Sequence, residues 1–341
     1  MENCIVSARR QARSRAPALS HSQWLVAALL VCTACGARTA FESDHSPAST
    51  PEPSGGSSGS NGSGGEGARP ASWDQITWVD EFDQSVVYLW TGSATDTWVV
   101  TSAGPGLFYR DHWDGSRWTR TAGEDGSDRF GSEQIWGAGD RQAFAGSSKG
   151  LQRWSGNTWT NWQQTPACHA IGGSENNAIW CATESELWQF DAPQWAHQLM
   201  SGVAGIQAST RKDVWVWGIP GASHFDGVRW NLELAGAVRR VSASEPSNVW
   251  AVEAGDVLHS AGPGTGWTRE NPTGSQIASV WSQSTTNTWV IGAGAVMRWN
   301  GSSWAIVPLP TQDEWLLISG SSEDVWLAGT LKLIHGRPTR R

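Results

Sequence analysis

Lysine is scarce in this chain: it occurs three times in 341 residues, and tyrosine only twice. Charged side chains make up 16% of the total, against about 25% in an ordinary soluble domain. No 18 consecutive residues are apolar, which excludes a multi-span helical membrane protein. The eight histidines show no zinc-ligand spacing and no His-Glu-x-x-His. The most acidic loop, Glu124-Asp-Gly-Ser-Asp128, lacks the spacing of a calcium loop. No metal and no cofactor is therefore expected. The formal net charge of −8 argues against a nucleic-acid partner. What the chain has in quantity is tryptophan, 25 residues, and glycine, 39. That aromatic content can build a core and excludes global disorder.

The first 35 residues read as an export address. Arg9, Arg10, Arg13 and Arg15 precede an apolar run at residues 24–31. Such a run is too short to span about 30 Å of hydrocarbon and fits the h-region of a signal peptide. Small residues then precede a cysteine, in Thr33-Ala34-Cys35. This pattern resembles a bacterial lipoprotein signal. The resemblance implies that Cys35 is lipidated and becomes residue one, anchoring the protein in the envelope of a Gram-negative bacterium, at the outer membrane. Cys32, with Leu29 three before it, is the other acceptor, and a plainly cleaved secretory signal is the alternative. Loss of residues 1–34 removes four Arg and one Glu, leaving 20 basic against 31 acidic residues, net −11. Residues 36–70 are rich in Gly, Ser and Pro and form a tether with a reach of roughly 30–35 Å. Gly62-Ser-Gly-Gly-Glu-Gly67 spells a dinucleotide fingerprint and Gly55-Gly-Ser-Ser-Gly59 a nucleophile elbow. Neither has the flanking strand and helix that the chemistry needs.

Residues 71–341 repeat one unit seven times. A first aromatic slot reads Trp98, Phe144, Trp180, Trp215, Trp250, Trp289 and Trp326. A second slot reads Trp118, Trp159, Trp195, Trp230, Trp267 and Trp304. The seventh copy ends before its second slot, but a seventh such residue, Trp73, stands ahead of the first copy. Asp114-Gly115, Ser155-Gly156, Asp226-Gly227 and Asn300-Gly301 mark tight hairpin turns before the second slot. Short strands joined this way, four per unit, make a seven-bladed β-propeller. A strand carrying Trp73 is expected to complete the last blade and close the ring.

The repeat absorbs most of the tryptophan. Nineteen of 25 lie on repeat positions and one lies in the leader. Trp78, Trp162, Trp188, Trp217 and Trp315 remain as candidate ligand platforms, against the alternative of core filling. Asp96, Asp213, Asn248, Asn287 and Asp324 recur two residues before the first slot, where a turn-capping role is expected. Cys168 and Cys181 flank a predicted hairpin in an exported chain, so a disulfide is expected, with two buried thiols as the alternative.

The loops between second and third strands, and between blades, vary in length and share one face. They carry Asp125, Asp128, Arg129, His169, Glu184, Arg239, Arg240, Glu253 and Asp313. Asn248-Val-Trp-Ala-Val252 and His112-Trp-Asp-Gly-Ser-Arg-Trp118 resemble the Trp-rich propeller repeats of myxobacterial surface lipoproteins. That resemblance implies architecture and brings no defined activity. Asp114-Gly115-Ser116-Arg117-Trp118 is more distantly similar to the sialidase Asp-box, but two tyrosines on strand-like segments give little support for that chemistry. No catalytic residue is assigned. The expected function is a non-enzymatic platform for an envelope or extracellular protein. The alternatives are a lectin-like glycan binder and, after it, a glycoside-active enzyme.

Overall fold

The computed structural model describes residues 72–339, except 105–106, 126–133, 140–141, 148, 163–164, 176–177 and 192–193. The leader with Cys35, the tether at 36–70, and the acidic loop from residue 126 onward lie outside the described residues.

Strand β1 is Ser72–Phe82. Blade 1 holds β2 (Val86–Ser93), β3 (Asp96–Gly104), β4 (Leu107–Trp113) and β5 (Trp118–Asp125). Blade 2 holds β6 (Gln134–Gly139), β7 (Gln142–Ser147), β8 (Gly150–Trp154) and β9 (Trp159–Asn161). Blade 3 holds β10 (Ala170–Glu175), β11 (Ala178–Ala182), β12 (Glu186–Asp191) and β13 (Gln194–Leu199). Blade 4 holds β14 (Val203–Thr210), β15 (Asp213–Gly218), β16 (Gly221–Phe225) and β17 (Trp230–Ala235). Blade 5 holds β18 (Val238–Glu245), β19 (Asn248–Glu253), β20 (Asp256–Ser260) and β21 (Thr268–Glu270). Blade 6 holds β22 (Ser279–Ser284), β23 (Asn287–Gly292), β24 (Ala295–Trp299) and β25 (Trp304–Ile306). Blade 7 holds β26 (Trp315–Gly320), β27 (Val325–Gly329) and β28 (Leu333–Thr339), and β1 completes it.

Every blade is a four-stranded antiparallel meander. The first strands β2, β6, β10, β14, β18, β22 and β26 neighbour one another in a closed cycle. The chain is therefore a seven-bladed β-propeller closed by its N-terminal strand. β1 pairs with β28, with Trp78 opposite Gly336 and Phe82 opposite Leu333.

The two aromatic slots bind blade to blade. The second strand of each blade carries its first-slot ring to one side, toward the fourth strand of the next blade. Trp98 meets Trp159 edge-on at 5.3 Å, Trp180 meets Trp230 at 5.8 Å, and Trp250 meets Trp304 at 5.5 Å. Trp215 meets Trp267, and Trp326 meets Trp118, in the same way. Trp289 meets Trp73 of β1 at 5.5 Å, so the displaced copy fills the slot left by the truncated seventh unit. The fourth-strand indoles add hydrogen bonds across the same interfaces. Trp118 donates to Glu81, Trp159 to Thr121, Trp267 to the Glu233 carbonyl and Trp304 to Glu270.

Nearer the axis, large rings alternate with glycine. Trp90, Trp136 and Trp281 of the first strands lie over Gly137, Gly173 and Gly320 of the next blade, where a Cβ would strike the ring. In blade 4 an amide replaces the ring. Gln207 accepts from Ala243 N and donates to Ala243 O, completing both bonds of a β-bridge with the next blade.

The outer turns follow the sequence expectation. Asp114, Asp226 and Asn300 each accept two backbone N–H groups of their own turn. Gly115, Gly156, Gly227 and Gly301 adopt φ values of 90–98°, a region that favours glycine. Cys168 and Cys181 form a disulfide with their Cα atoms 5.7 Å apart. It ties the approach to β10 to the middle of β11. A loop this short contributes about 2–3 kcal/mol in the chain-entropy account.

The Trp73–Trp289 contact yields a test of closure. Trp289→Ala is expected to cost about 3–5 kcal/mol, the range for a core tryptophan, and Trp73→Ala less, because Trp73 is half-buried. A double-mutant cycle by denaturant unfolding should show about 0.5–1.5 kcal/mol of coupling between them. Additive losses would mean that the ring is not closed through this pair.

Candidate functional site: the variable-loop face

The Asp or Asn two residues before five of the six first-slot tryptophans looks like a reactive group, and sequence reasoning assigned it to turn capping. The structure gives it a different role. Each buried indole brings an N–H that needs an acceptor, and a residue two positions earlier on a strand shares its face. Trp98 donates to Asp96, Trp250 to Asn248 and Trp289 to Asn287, at 3.1, 3.0 and 2.9 Å. A third-strand side chain reaches the same oxygen. His112 contacts Asp96 at 2.9 Å, His259 contacts Asn248 at 3.0 Å and Arg298 donates to Asn287 at 2.8 Å. His224 likewise contacts Asp213, which also accepts from Ser209. The imidazoles lie flat on the indoles, with His112 4.3 Å from Trp98 and His259 4.1 Å from Trp250. In blade 2 the set becomes Gln142, Phe144 and Arg153.

These third-strand partners were missed from the sequence, although a signal for them exists. Each stands opposite its aromatic in the register, as in Trp215↔His224, Trp250↔His259 and Trp289↔Arg298. The offset is nine residues in every blade but the first, where Trp98 pairs with His112. The triads lie in blade interfaces, mostly buried, where they satisfy the indole N–H groups and so stabilise the fold. Burial works to raise the Asp213 carboxyl, but hydrogen bonds from His224 and Ser209 outweigh it and hold it below its usual range. Burial depresses the His259 imidazole, whose partner is a neutral amide.

The five remaining tryptophans divide. Trp217 and Trp315 are each 1% exposed and present no face to a ligand, which corrects their candidacy as platforms. Trp217 covers Gly205, and the Arg240 guanidinium lies 6.0 Å over its ring. Trp162 wedges between Phe144 at 4.9 Å and Phe190 at 4.6 Å. It fills the one interface whose first slot holds a smaller ring. Trp78 lies against Gly336 on the closing strand. Trp188 alone sits beside exposed groups. It donates to Glu186 at 3.0 Å and stacks on His197, whose side chain is 50% exposed and pairs with Glu186. This repeats the Asx–Trp–His arrangement one strand outward, on the rim of blade 3.

Among the charges expected on the variable-loop face, several are committed to structure. His169 contacts the Val203 carbonyl at 2.7 Å across the blade 3–4 interface, and burial lowers its pKa. Asp313 accepts from Thr330 at 2.7 Å and from Leu331 N at 3.3 Å, capping a turn of blade 7. Glu253 pairs with Arg269, and Arg240 is buried. Glu184 and Arg239 are exposed.

Between Glu184 and Arg239 lies an apolar ridge on blades 3 and 4. Leu199 is 85% exposed, Ile219 70% and Leu232 57%. Ile219 N donates to Gly202 O and Gly236 N to Pro220 O, which knits three loop segments into one surface. Those segments, residues 199–202, 217–223 and 234–238, contain no charged residue. Sequence reasoning did not single out this ridge, because Leu199, Ile219 and Leu232 lie on three separate elements, at the end of β13, after β15 and within β17, and none is a repeat position.

Variants of Asn248 test the triads. Asn248→Leu leaves the Trp250 and His259 N–H groups without their acceptor and should cost about 2–4 kcal/mol. Asn248→Asp keeps an acceptor and adds a charge, and should raise the His259 titration followed by NMR. No upward movement would show that burial alone governs this histidine.

No family model and no curated protein matches the chain. Solved structures do match in fold. YCF48 bound to a D1 peptide aligns with a TM-score of 0.60 at 14% identity, over 81% of this chain and 99% of that one. A catalytically inactive virginiamycin B lyase from Staphylococcus aureus, bound to quinupristin, aligns with 0.61 at 11% identity, over 77% and 99%. The WD40 repeats of RRP9 align with 0.61 at 9% identity, over 80% and 100%. At such identities the likeness is one of fold.

Proposed function

We propose that the protein is a non-enzymatic interaction platform for a protein partner, held at the cell envelope through lipid on Cys35. The observation that carries this reading is the apolar ridge on the variable-loop face, where Leu199, Ile219 and Pro220 are exposed on segments without a charged residue and Leu232 is exposed beside them. An exposed apolar surface rimmed by polar residues is what an interaction site presents. The rim sets the partner's chemistry. Glu184 and Glu186 border the ridge on blade 3, and Arg239 borders it on blade 5. An apolar peptide segment with a basic residue at its blade 3 end complements both features. Neighbours of the same fold include one solved with a bound peptide, which agrees with this use of a propeller. A lectin-like reading rests on Trp188, the one off-repeat indole placed beside an exposed imidazole and a carboxylate.

Photocrosslinking in intact cells tests the platform. A crosslinking residue at position 219 should give a discrete protein adduct, lost in Leu199→Glu. The same residue at position 228, which is 87% exposed on the opposite turns, should give none. Equal adducts from both positions, or none from either, would sink the reading. Glycan binding that disappears in Trp188→Ala would favour the lectin-like alternative. Anchoring is tested separately: Cys35→Ser should move the protein from the membrane to the soluble fraction, and an unchanged distribution would refute lipidation at this residue.

A further inference from the structure

The closing strand is held by a histidine unlike the others in the ring. His335 of β28 stands opposite Trp326 and stacks on it, with centroids 3.9 Å apart and planes 6° apart. It is 3% exposed. Its Nε2 lies 3.3 Å from Asp324 Oδ2, the position that the repeat leads one to expect. Its Nδ1 lies 3.4 Å from Glu81 Oε1 on β1. Both ring nitrogens thus face carboxylate oxygens. A neutral imidazole has one N–H and one lone pair, and would turn that lone pair on an anion. Only the imidazolium satisfies both contacts. Among the described triad histidines, His112, His224 and His259 each meet their Asx residue through Nε2 alone.

Glu81 is the joint between three parts of the ring. It belongs to β1, pairs with His335 of β28, and accepts the Trp118 indole of blade 1 at 2.9 Å. Asp324 is fully buried and accepts from Ser321 Oγ at 2.6 Å. The other charge acting on His335 is Arg337 on its own strand. Blade 1 presents Trp113, 6.2 Å from the imidazole, and Trp118, both uncharged.

We propose that His335 is a pH-controlled latch on the closing strand, holding β1 to the ring while its imidazole is doubly protonated and loosening β1 when it gives up a proton. The deprotonated state would leave two buried carboxylates flanking a neutral ring. The directions of titration agree with this geometry. Burial works against the cation, but the Asp324 and Glu81 carboxylates outweigh it and raise His335 above the usual histidine range. Burial likewise works to raise Glu81, and its bonds from His335 and Trp118 hold it below the usual range. A raised histidine stabilises the clasp fully below about pH 6.5 and loses that contribution as pH rises through its raised value. A lowered glutamate contributes above the ordinary carboxylate range and loses its part as pH falls through its lowered value. The clasp is strongest between these limits and weakens first on the alkaline side.

Hydrogen exchange of the full chain, corrected for intrinsic rates, reads the latch directly. From about pH 6 to about pH 8.5, the opening constant of β1 should rise by up to tenfold per pH unit, the slope set by one linked proton. The β22–β23 hairpin of blade 6, whose triad uses Arg298 in place of histidine, should stay flat. His335→Arg adopts that blade 6 solution and keeps a permanent cation, so β1 should become insensitive to pH. A flat wild-type β1, or a slope that survives in His335→Arg, would overturn the proposal. Should His335→Arg fail to fold, Glu81→Gln serves instead. It removes the carboxylate on β1 and should reduce the slope, and an unchanged slope would again overturn the latch.

Discussion

A ring of sheets has to solve the same packing problem at every interface, and here the solution is an indole that is buried on its apolar faces yet carries a polar N–H. The first-slot tryptophans are 0–3% exposed. Burying such a side chain removes about 150–250 Å² from water, but an unpartnered N–H would give back part of that gain. The Asx residue two positions earlier supplies an acceptor in blades 1, 5 and 6, at the Trp98, Trp250 and Trp289 indoles. The third-strand histidine of blades 1 and 5 stacks on the ring and shares the acceptor, and Arg298 shares it in blade 6. The fourth-strand tryptophan of the next blade closes the edge. One residue type at one position thereby sets the demands on three others.

Departures from this pattern are compensated locally. Phe144 is the one first-slot residue that is not tryptophan, and Trp162 is wedged against it. Gly172 stands where Trp90, Trp136 and Trp281 stand in their blades, and Ile206 of the next blade packs close on it. The seventh unit lacks a fourth strand, and β1 supplies both the strand and its tryptophan. That substitution joins the two ends of the propeller in one sheet. It also brings Glu81, which accepts the next blade's indole as Glu270 does in blade 5, into contact with a triad histidine.

Because the triads and both kinds of ring are consumed in holding the blades together, chemistry that recurs around the ring does not mark a site. What distinguishes one face from the other is irregularity. The turns between first and second strands, and between third and fourth, are pinned by side-chain-to-backbone bonds such as those of Asp114 and Asn300. The opposite loops are freer to vary, and there the apolar ridge of blades 3 and 4 appears. A rigid ring holds those loops at fixed separations, so any binding on this face would meet a preformed surface with little ordering cost on the protein side.

The pairing of Cys168 with Cys181, over two buried thiols, needed the folded register, but the repeat, the number of blades, the hairpin turns and the strand that closes the ring were set in the sequence alone. All of these follow from local spacing: slot-to-slot distances, Asx-Gly pairs, and one tryptophan out of place. The cross-strand partners were also present in the spacing, at nine residues in six blades and as histidine in three of those, but their meaning depends on register. Only the tertiary structure decided which off-repeat tryptophans are buried. Burial of Trp217 and Trp315 depends on side chains from neighbouring strands and blades, among them Gly205 and Arg240 beside Trp217. It alone joined Leu199, Ile219 and Leu232 into one ridge, from positions up to 33 residues apart. And it alone placed Glu81 beside His335, 254 residues away in the chain, because that contact exists only once the ring has closed.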